Sequence, residues 1–346
     1  INTEEQNIFL KKIVKYSKFF LKQYGIAYLI RHIRRIYTSY KDKNYYFELL
    51  NKISLKKKDI IVLVTLGKRY WDGKLLEDYQ FSEIVRTITN SRKYNIVVID
   101  IENQPFCNLK KRNKINNEQY QIWVNYNIFI KPLLSIKDFI LKFISRFKNF
   151  YKFRKSLSEI MFYQQINLFR TLSFILKYCF FDLSFESQEY LISSEELLTF
   201  IKPKFLITTH EAAPIPRSLI IAANKLNIPS IGLQHGTISR QHPDYSNAFV
   251  TTEPKDNPFA FVVPKKMAVW GSLWKKNLVK NGNFPEDSVV ITGYWRNNLK
   301  EKIYNEMPLL ENNNHKFVGI ISSVWHSYSE IYLRTILDEL NNINSF

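Results

Sequence analysis

Asp59-Ile60-Ile61-Val62-Leu63-Val64-Thr65 is an unbroken apolar run with polar ends. A strand apolar on both faces must be covered on both faces, so a run of this kind belongs in a parallel sheet layered with helices. Tyr94-Asn95-Ile96-Val97-Val98-Ile99-Asp100 is a second such run, and a helix around 78–91 would join the two as a βαβ unit. The alternation returns at residues 204–209, 229–233, 266–271 and 288–293, with helices expected over 217–226 and 272–281. Residues 107–130 are rich in Asn and Lys and carry no clear period, while 131–200 read as Phe-, Lys- and Ile-rich helices covering the sheet. A final strand at 316–321 opens a new strand–helix unit, with Ser327 and Glu330 spaced as a capping box.

The fold class that follows is α/β, built on a Rossmann-type parallel sheet. The expected domains are a basic amphipathic helical segment over 1–50 and a Rossmann-like domain over 51–300 with a helical insertion at about 131–200. The start of a second Rossmann-type domain is expected over 316–346. Because the sequence begins at Ile1 and ends soon after a new unit opens, it is expected to be an excerpt of a longer protein.

Composition narrows the function classes. The 346 residues hold 50 Lys+Arg against 31 Asp+Glu, a formal net charge of +19, and so favour an anionic partner. The Lys/Asn/Ile-rich composition accounts for part of that excess. Cys107 and Cys179 form no CxxC pair and stand near no His/Cys cluster, so neither a structural zinc nor a disulfide scaffold is expected, and a reducing compartment fits. No run of 18 apolar residues occurs, and the nearest, 168–181, is interrupted by Arg170 and Lys177. No signal peptide is evident. Phe9, Ile13, Tyr16, Phe20 and Tyr24 recur at helical spacing among lysines. Such a helix either packs its aromatic stripe on the domain or lies on an anionic membrane surface, here through residues 1–36. The expected location is accordingly cytoplasmic, peripheral at the inner face of the cell membrane.

Only 9 glycines are present, and six of them (Gly232, Gly236, Gly271, Gly282, Gly293 and Gly319) lie between 232 and 319. Sharp turns or close backbone approach to a ligand would explain the cluster. It coincides with strand ends carrying His210-Glu211 and Gln234-His235-Gly236-Thr237, where open α/β sheets place their ligands. GxGxxG, Walker A, HExxH and GxSxG signatures are all absent.

From about 204 to 325 the chain resembles the first half of a GT-B glycosyltransferase. More narrowly, it resembles bacterial surface- and capsular-polysaccharide transferases with a Gln-His-Gly motif. The resemblance is carried by His210-Glu211, the helix 217–226, the run from Ile228 through Gln234-His235-Gly236-Thr237, Val269-Trp270-Gly271 and Val290-Ile291-Thr292-Gly293-Tyr294. His235-Gly236-Thr237 is also similar to the His-Gly-Thr of the teichoic acid glycerol- and ribitol-phosphate polymerases, in which the matching histidine is thought to act as base. Gln234 in place of the usual Trp, and Ile238-Ser239 in place of Pro-Leu-Lys, depart from that subfamily and favour a sugar transferase.

The resemblance implies an inverting transfer from a nucleotide-activated sugar to a surface polysaccharide or lipid-linked glycan. No metal and no cofactor would be needed, the nucleotide sugar being a substrate. Imidazole titrates near neutrality and suits proton abstraction from an acceptor hydroxyl, so His235 is the expected base, with Glu211 its rival. His210, Gln234, Gly236, Thr237, Arg240, His242 and Arg296 are expected to line the substrate. The loop holding Ser322, Ser323 and His326 precedes a helix N-terminus, where backbone amides suit a donor diphosphate.

Other readings remain. A CDP-polyol phosphotransferase of teichoic type would place phosphodiesters in its product. A nucleotide-sugar 2-epimerase would act without an acceptor. Non-catalytic binding to a membrane, or to nucleic acid through the basic aromatic helices at 9–36 and 137–155, is the non-enzyme alternative. No RNP1, homeodomain or zinc-finger pattern supports a nucleic-acid partner.

Overall fold

A computed structural model describes residues 26–54, 58–65, 69–71, 76–78, 80–101, 121–130, 136–163, 165–239, 242, 245 and 262–294. The chain divides into two compact units, Ile1–Asn297 and Asn298–Phe346, and all described residues lie in the first.

In chain order the described elements begin with helix α1 (Ile26–Ser54) and strand β1 (Asp59–Thr65). A small ribbon of β2 (Arg69–Trp71) and β3 (Leu76–Asp78) precedes helix α2 (Ser82–Ser91) and strands β4 (Tyr94–Asp100) and β5 (Gln121–Asn125). Next come helix α3 (Ile136–Ile160), a ribbon of β6 (Phe162–Tyr163) and β7 (Ile166–Asn167), and helices α4 (Leu168–Tyr178) and α5 (Ser184–Ile201). The remainder is β8 (Phe205–Thr208), α6 (Pro214–Lys225), β9 (Ser230–Leu233), β10 (Lys266–Val269), α7 (Ser272–Gly282) and β11 (Val289–Ile291).

Seven strands make one sheet in the order β11-β10-β9-β8-β1-β4-β5, and every neighbouring pair is parallel. Reading outward from β1, the chain fills one side with β4 and β5, then returns to the other with β8, β9, β10 and β11. That is the doubly wound order, with its switch point between β1 and β8. The pairings of Val64 with Thr208 and of Thr208 with Gly232 hold the carboxyl ends of β1, β8 and β9 level along one edge. The parallel sheet expected from the sequence is therefore present.

The strand centres form the core. Val62, Leu63, Ile96, Val97, Ile99, Val124 and Leu206 are buried on both sides of the sheet, with Trp123 among the largest enclosed side chains. β5 lies in the stretch that carries no clear period: its Ile-Trp-Val centre is buried, but it is short and polar at each end. The helix expected from 78 starts at Ser82, because Leu76–Asp78 pairs with Arg69–Trp71 as a ribbon. Expected helix 217–226 begins earlier, at Pro214, whose missing N–H costs nothing at the first helical position.

The N-terminal helix packs on the domain near both ends of its described length. Tyr28, Tyr46, Leu50 and Ile53 are buried, and Tyr28 stacks on Phe185 with ring centroids 5.5 Å apart. Arg31 reaches Asp182 at 2.8 Å and Glu186 at 3.4 Å. Burial pushes the Asp182 carboxyl up, and the Arg31 hydrogen bond and charge oppose the shift. Among the described residues no helix is long and apolar enough to cross a membrane.

Candidate functional site

Two strand ends meet beside the switch point. β8 terminates in Thr208 and Thr209, and His210 follows with φ of +55°, a left-handed conformation that costs a non-glycine residue about 1 kcal/mol or more. The bend is closed by Ala213 N–H donating to His210 O at 2.8 Å, which turns the chain into α6. On the neighbouring strand, β9 runs out into Gln234 and His235. The two imidazoles lie face to face, ring centroids 3.7 Å apart and planes inclined by 25°. His210 backbone N–H donates to His235 Nδ1 at 3.3 Å. The sequence places these histidines 25 residues apart; the β8–β9 register brings them into contact.

Each ring is held from a second direction. His210 Nδ1 lies 3.0 Å from Thr209 Oγ1, and that hydroxyl donates to Gln80 Oε1 at 2.8 Å. His235 Nδ1 lies 3.2 Å from the Tyr245 hydroxyl. His242 packs obliquely on Tyr245, centroids 5.0 Å apart, so ring contacts link His210, His235, Tyr245 and His242. Tyr245 is buried in a small apolar cluster with Ile238, Met267, Val269, Leu278, Phe284 and Val289. Gly282 lets its backbone in, since a Cβ there would lie 2.5 Å from Tyr245 O.

Gln234 is buried and bonds to backbone from both ends of its amide. Nε2 donates to Gly236 O at 2.9 Å, and Oε1 accepts the Trp270 N–H at 2.9 Å. Expected to line the substrate, it here ties the His235 corner to the end of β10. Glu211 is also buried, at 2% exposure, in the turn entering α6. Gly236 and Thr237 continue past His235, Gly236 half-buried and Thr237 exposed. A Cβ on Gly236 would meet no atom within 4 Å, whereas one on Gly232 would lie 2.7 Å from Met267 Sδ and 2.8 Å from Pro264 Cγ. Gly232 is thus a packing glycine, and Gly236 faces open space. Trp270 and Tyr294 stand edge to face, centroids 5.0 Å apart, at the ends of β10 and β11.

Of the residues singled out from the sequence, His210, Glu211, Gln234, His235, Gly236, Thr237 and His242 fall on this edge. Arg240, Arg296, Ser322, Ser323 and His326 lie outside the described residues, as do the expected strand at 316–321 and the capping box at Ser327. Thr209, Gln80 and Tyr245 are part of the site and were not singled out. Thr209 adjoins His210 and was within reach of sequence reasoning. Gln80 is 129 residues away from Thr209, and no local pattern signals the pairing. Among the described residues no group of three or more His, Cys, Asp or Glu side chains is arranged to hold a metal ion.

No protein-family model and no curated protein matches the chain. Among solved structures it is similar to UDP-GlcNAc 2-epimerase from Neisseria meningitidis bound to UDP-GlcNAc, at 12% identity and a TM-score of 0.36, over 74% of this chain and 55% of that one. UDP-N-acetylglucosamine 2-epimerase from Rickettsia bellii matches at 8% identity and a TM-score of 0.33, over 74% of this chain and 49% of that one. Medicago truncatula UGT71G1 complexed with UDP-glucose matches at 12% identity and a TM-score of 0.29, over 73% and 58%. The chain spans about half the length of these structures. Its class, a doubly wound parallel α/β domain with a histidine pair at the carboxyl edge of the sheet, rests on its own strand order and contacts.

Proposed function

We propose that this domain is the acceptor side of a glycosyltransferase that takes its sugar from a nucleotide-activated donor. The observation that carries the reading is the stacked His210–His235 pair at adjacent carboxyl strand ends, with open space over Gly236. Ligands in doubly wound sheets bind along this edge next to the switch point. Transfer with inversion needs one group to accept the acceptor's hydroxyl proton and a surface on which the sugar can sit. One imidazole of the pair supplies the first, and the Trp270–Tyr294 rings at the ends of β10 and β11 suit the second. The Gln-His-Gly resemblance points the same way.

A thermal-shift panel of UDP-, GDP-, CMP- and CDP-activated donors on the full-length protein tests the reading. Saturation at a hundredfold excess over Kd stabilises by about 2.7 kcal/mol. A stabilising donor that is consumed only when a glycan acceptor is present supports transfer. Isomerisation of the donor without acceptor indicates a nucleotide-sugar epimerase, and a phosphodiester product indicates polyol-phosphate transfer. Absence of a shift with every donor contradicts the reading.

The acceptor side of such an enzyme would meet its substrate at an anionic membrane, and α3 has a surface suited to one. Phe143 and Phe150 turn inward onto Phe181, at 5.6 and 5.5 Å between centroids. Ile140, Leu141, Ile144, Phe147 and Tyr151 are exposed on the same helix, among exposed Lys142, Lys148, Lys152, Arg154 and Lys155. Apolar and basic side chains on one helix surface suit the headgroup region of anionic lipid. Residues 1–25 of the expected membrane segment lie outside the described residues, and Tyr28 and Arg31 dock the part that follows. Sedimentation with phosphatidylglycerol-containing vesicles, lost on Ile144→Asp and absent with pure phosphatidylcholine, would support α3 as the contact. Undiminished sedimentation of Ile144→Asp would exclude it.

A further inference from the structure

With Gln80 Oε1 as the acceptor from Thr209, the hydrogen bonds through the corner assign a protonated ring nitrogen to each histidine. The single proton of the Thr209 hydroxyl is committed to Gln80 Oε1, at 2.8 Å. Thr209 Oγ1 therefore accepts at its 3.0 Å contact with His210 Nδ1. In the neutral ring of His210, Nδ1 is then the protonated nitrogen and Nε2 bears the lone pair. The assignment reverses in His235. A backbone N–H cannot accept, so the 3.3 Å bond from His210 N requires the lone pair of His235 at Nδ1 and its proton at Nε2. The Tyr245 hydroxyl, 3.2 Å from the same Nδ1, donates to it as well.

We propose, resting on the sugar-transfer reading above, that His210 through Nε2 is the general base of this site and that His235 is a positioning residue acting through Nδ1. A proton added to His210 Nε2 leaves every hydrogen bond just described intact. One added to His235 Nδ1 would confront the His210 N–H, donor against donor, and oblige the Tyr245 hydroxyl to turn from donor to acceptor. Coulomb repulsion further opposes charging both rings, since their centroids are 3.7 Å apart. The left-handed backbone of His210, φ +55°, is held in place by the bond to His235 Nδ1, so His235 maintains the strained geometry that presents the base. In the transfer, the acceptor oxygen bonds to the anomeric carbon as its proton passes to His210 Nε2. The bond from the anomeric carbon to the donor phosphate oxygen breaks, and the electron pair departs with the nucleotide. The imidazolium then returns the proton to solvent.

The tautomers can be read without any substrate. The chain contains only 6 histidines, so a sample labelled with ¹⁵N at histidine, assigned with His210→Asn and His235→Asn, resolves both rings. The expected result is a proton on Nδ1 of His210 and on Nε2 of His235 in the neutral rings. A proton on Nδ1 of His235 or on Nε2 of His210 overturns the proposal, whatever the activity. Turnover supplies the second arm. In His235→Asn the amide oxygen stands where Nδ1 accepts, so the rate should stay within about tenfold of wild type, whereas His235→Ala should lose more. His210→Asn keeps a donor to Thr209 but has no Nε2, and should lose about 10²–10⁴-fold. The opposite ranking, with His235→Asn inactive and His210→Asn active, overturns the proposal. If wild type turns over no nucleotide sugar, the sugar-transfer reading fails while the tautomer result stands on its own.

Discussion

Gln234 Oε1 accepts the Trp270 backbone N–H at 2.9 Å, so a side chain from the end of β9 occupies the place of a ladder bond at the end of β10. The same amide donates to Gly236 O at 2.9 Å, which sets the path of the chain on the far side of His235. Gln234 therefore fixes the corner from both sides. Its replacement by Leu would leave one backbone donor and one acceptor unsatisfied, at about 1–3 kcal/mol for each that water cannot reach. Urea denaturation of Gln234→Leu should show a lower midpoint with an unchanged slope. Gln234→Glu should lose at least as much at neutral pH, because its buried carboxylate can accept from Trp270 but cannot donate to Gly236 O.

Gly232 and Gly236 lie four positions apart and should respond oppositely to alanine. Gly232→Ala puts a methyl 2.7 Å from Met267 Sδ and 2.8 Å from Pro264 Cγ, and overpacking of this kind costs about 1–3 kcal/mol. Gly236→Ala meets no atom within 4 Å and should leave stability within about 0.5 kcal/mol of wild type. If the open space beyond Gly236 holds substrate, that variant should raise KM without lowering Tm. Calorimetry of both variants beside steady-state kinetics checks the pair.

Arg31 and Asp182 join the N-terminal helix to the helical insertion, with side chains 32% and 0% exposed. The Asp182 carboxyl is raised by burial, the largest cause, and lowered by Arg31. For a carboxyl whose folded pKa lies above its unfolded one, stability is greatest below the unfolded value and falls as pH rises from there through the folded value. Ionised Asp182 thus carries a net cost at neutral pH, and Arg31 limits it. Asp182→Asn should consequently destabilise less than Arg31→Met, which strands a buried carboxylate. The deficit of Arg31→Met should shrink as pH falls through the acid range, measured by thermal melts at several pH values.

Trp123, 1% exposed at the centre of β5, anchors the outermost strand on its side of the sheet. Removal of a buried Trp side chain costs about 3–5 kcal/mol, so Trp123→Ala should lower the urea midpoint strongly if β5 closes the core there. A change below 1 kcal/mol would place Trp123 outside the core.

β1 and β4 were legible in the sequence to the residue, at 59–65 and 94–100, because a strand buried on both faces can carry only apolar side chains along its centre. Helix α6 was legible from its prolines and the apolar spacing after them. β5 was not, since Gln121 and Asn125 bracket only three apolar residues in an Asn- and Lys-rich stretch. The site was legible as a set of strand ends: His210 and His235 each stood beside a recognisable strand. Their contact was not legible, because it depends on β8 and β9 being neighbours in register. Nor was the bond from Thr209 to Gln80, 129 residues away along the chain.

The proposed reaction is transfer of a sugar at the His210–His235 corner. Turnover of a stabilising nucleotide sugar with a glycan acceptor, compared among wild-type, His210→Asn and His235→Asn full-length protein, tests it most directly. The predicted result is acceptor-dependent turnover by wild type, a loss of about 10²–10⁴-fold in His210→Asn, and near-retention in His235→Asn. Turnover undiminished by His210→Asn and by His235→Ala alike would contradict the account.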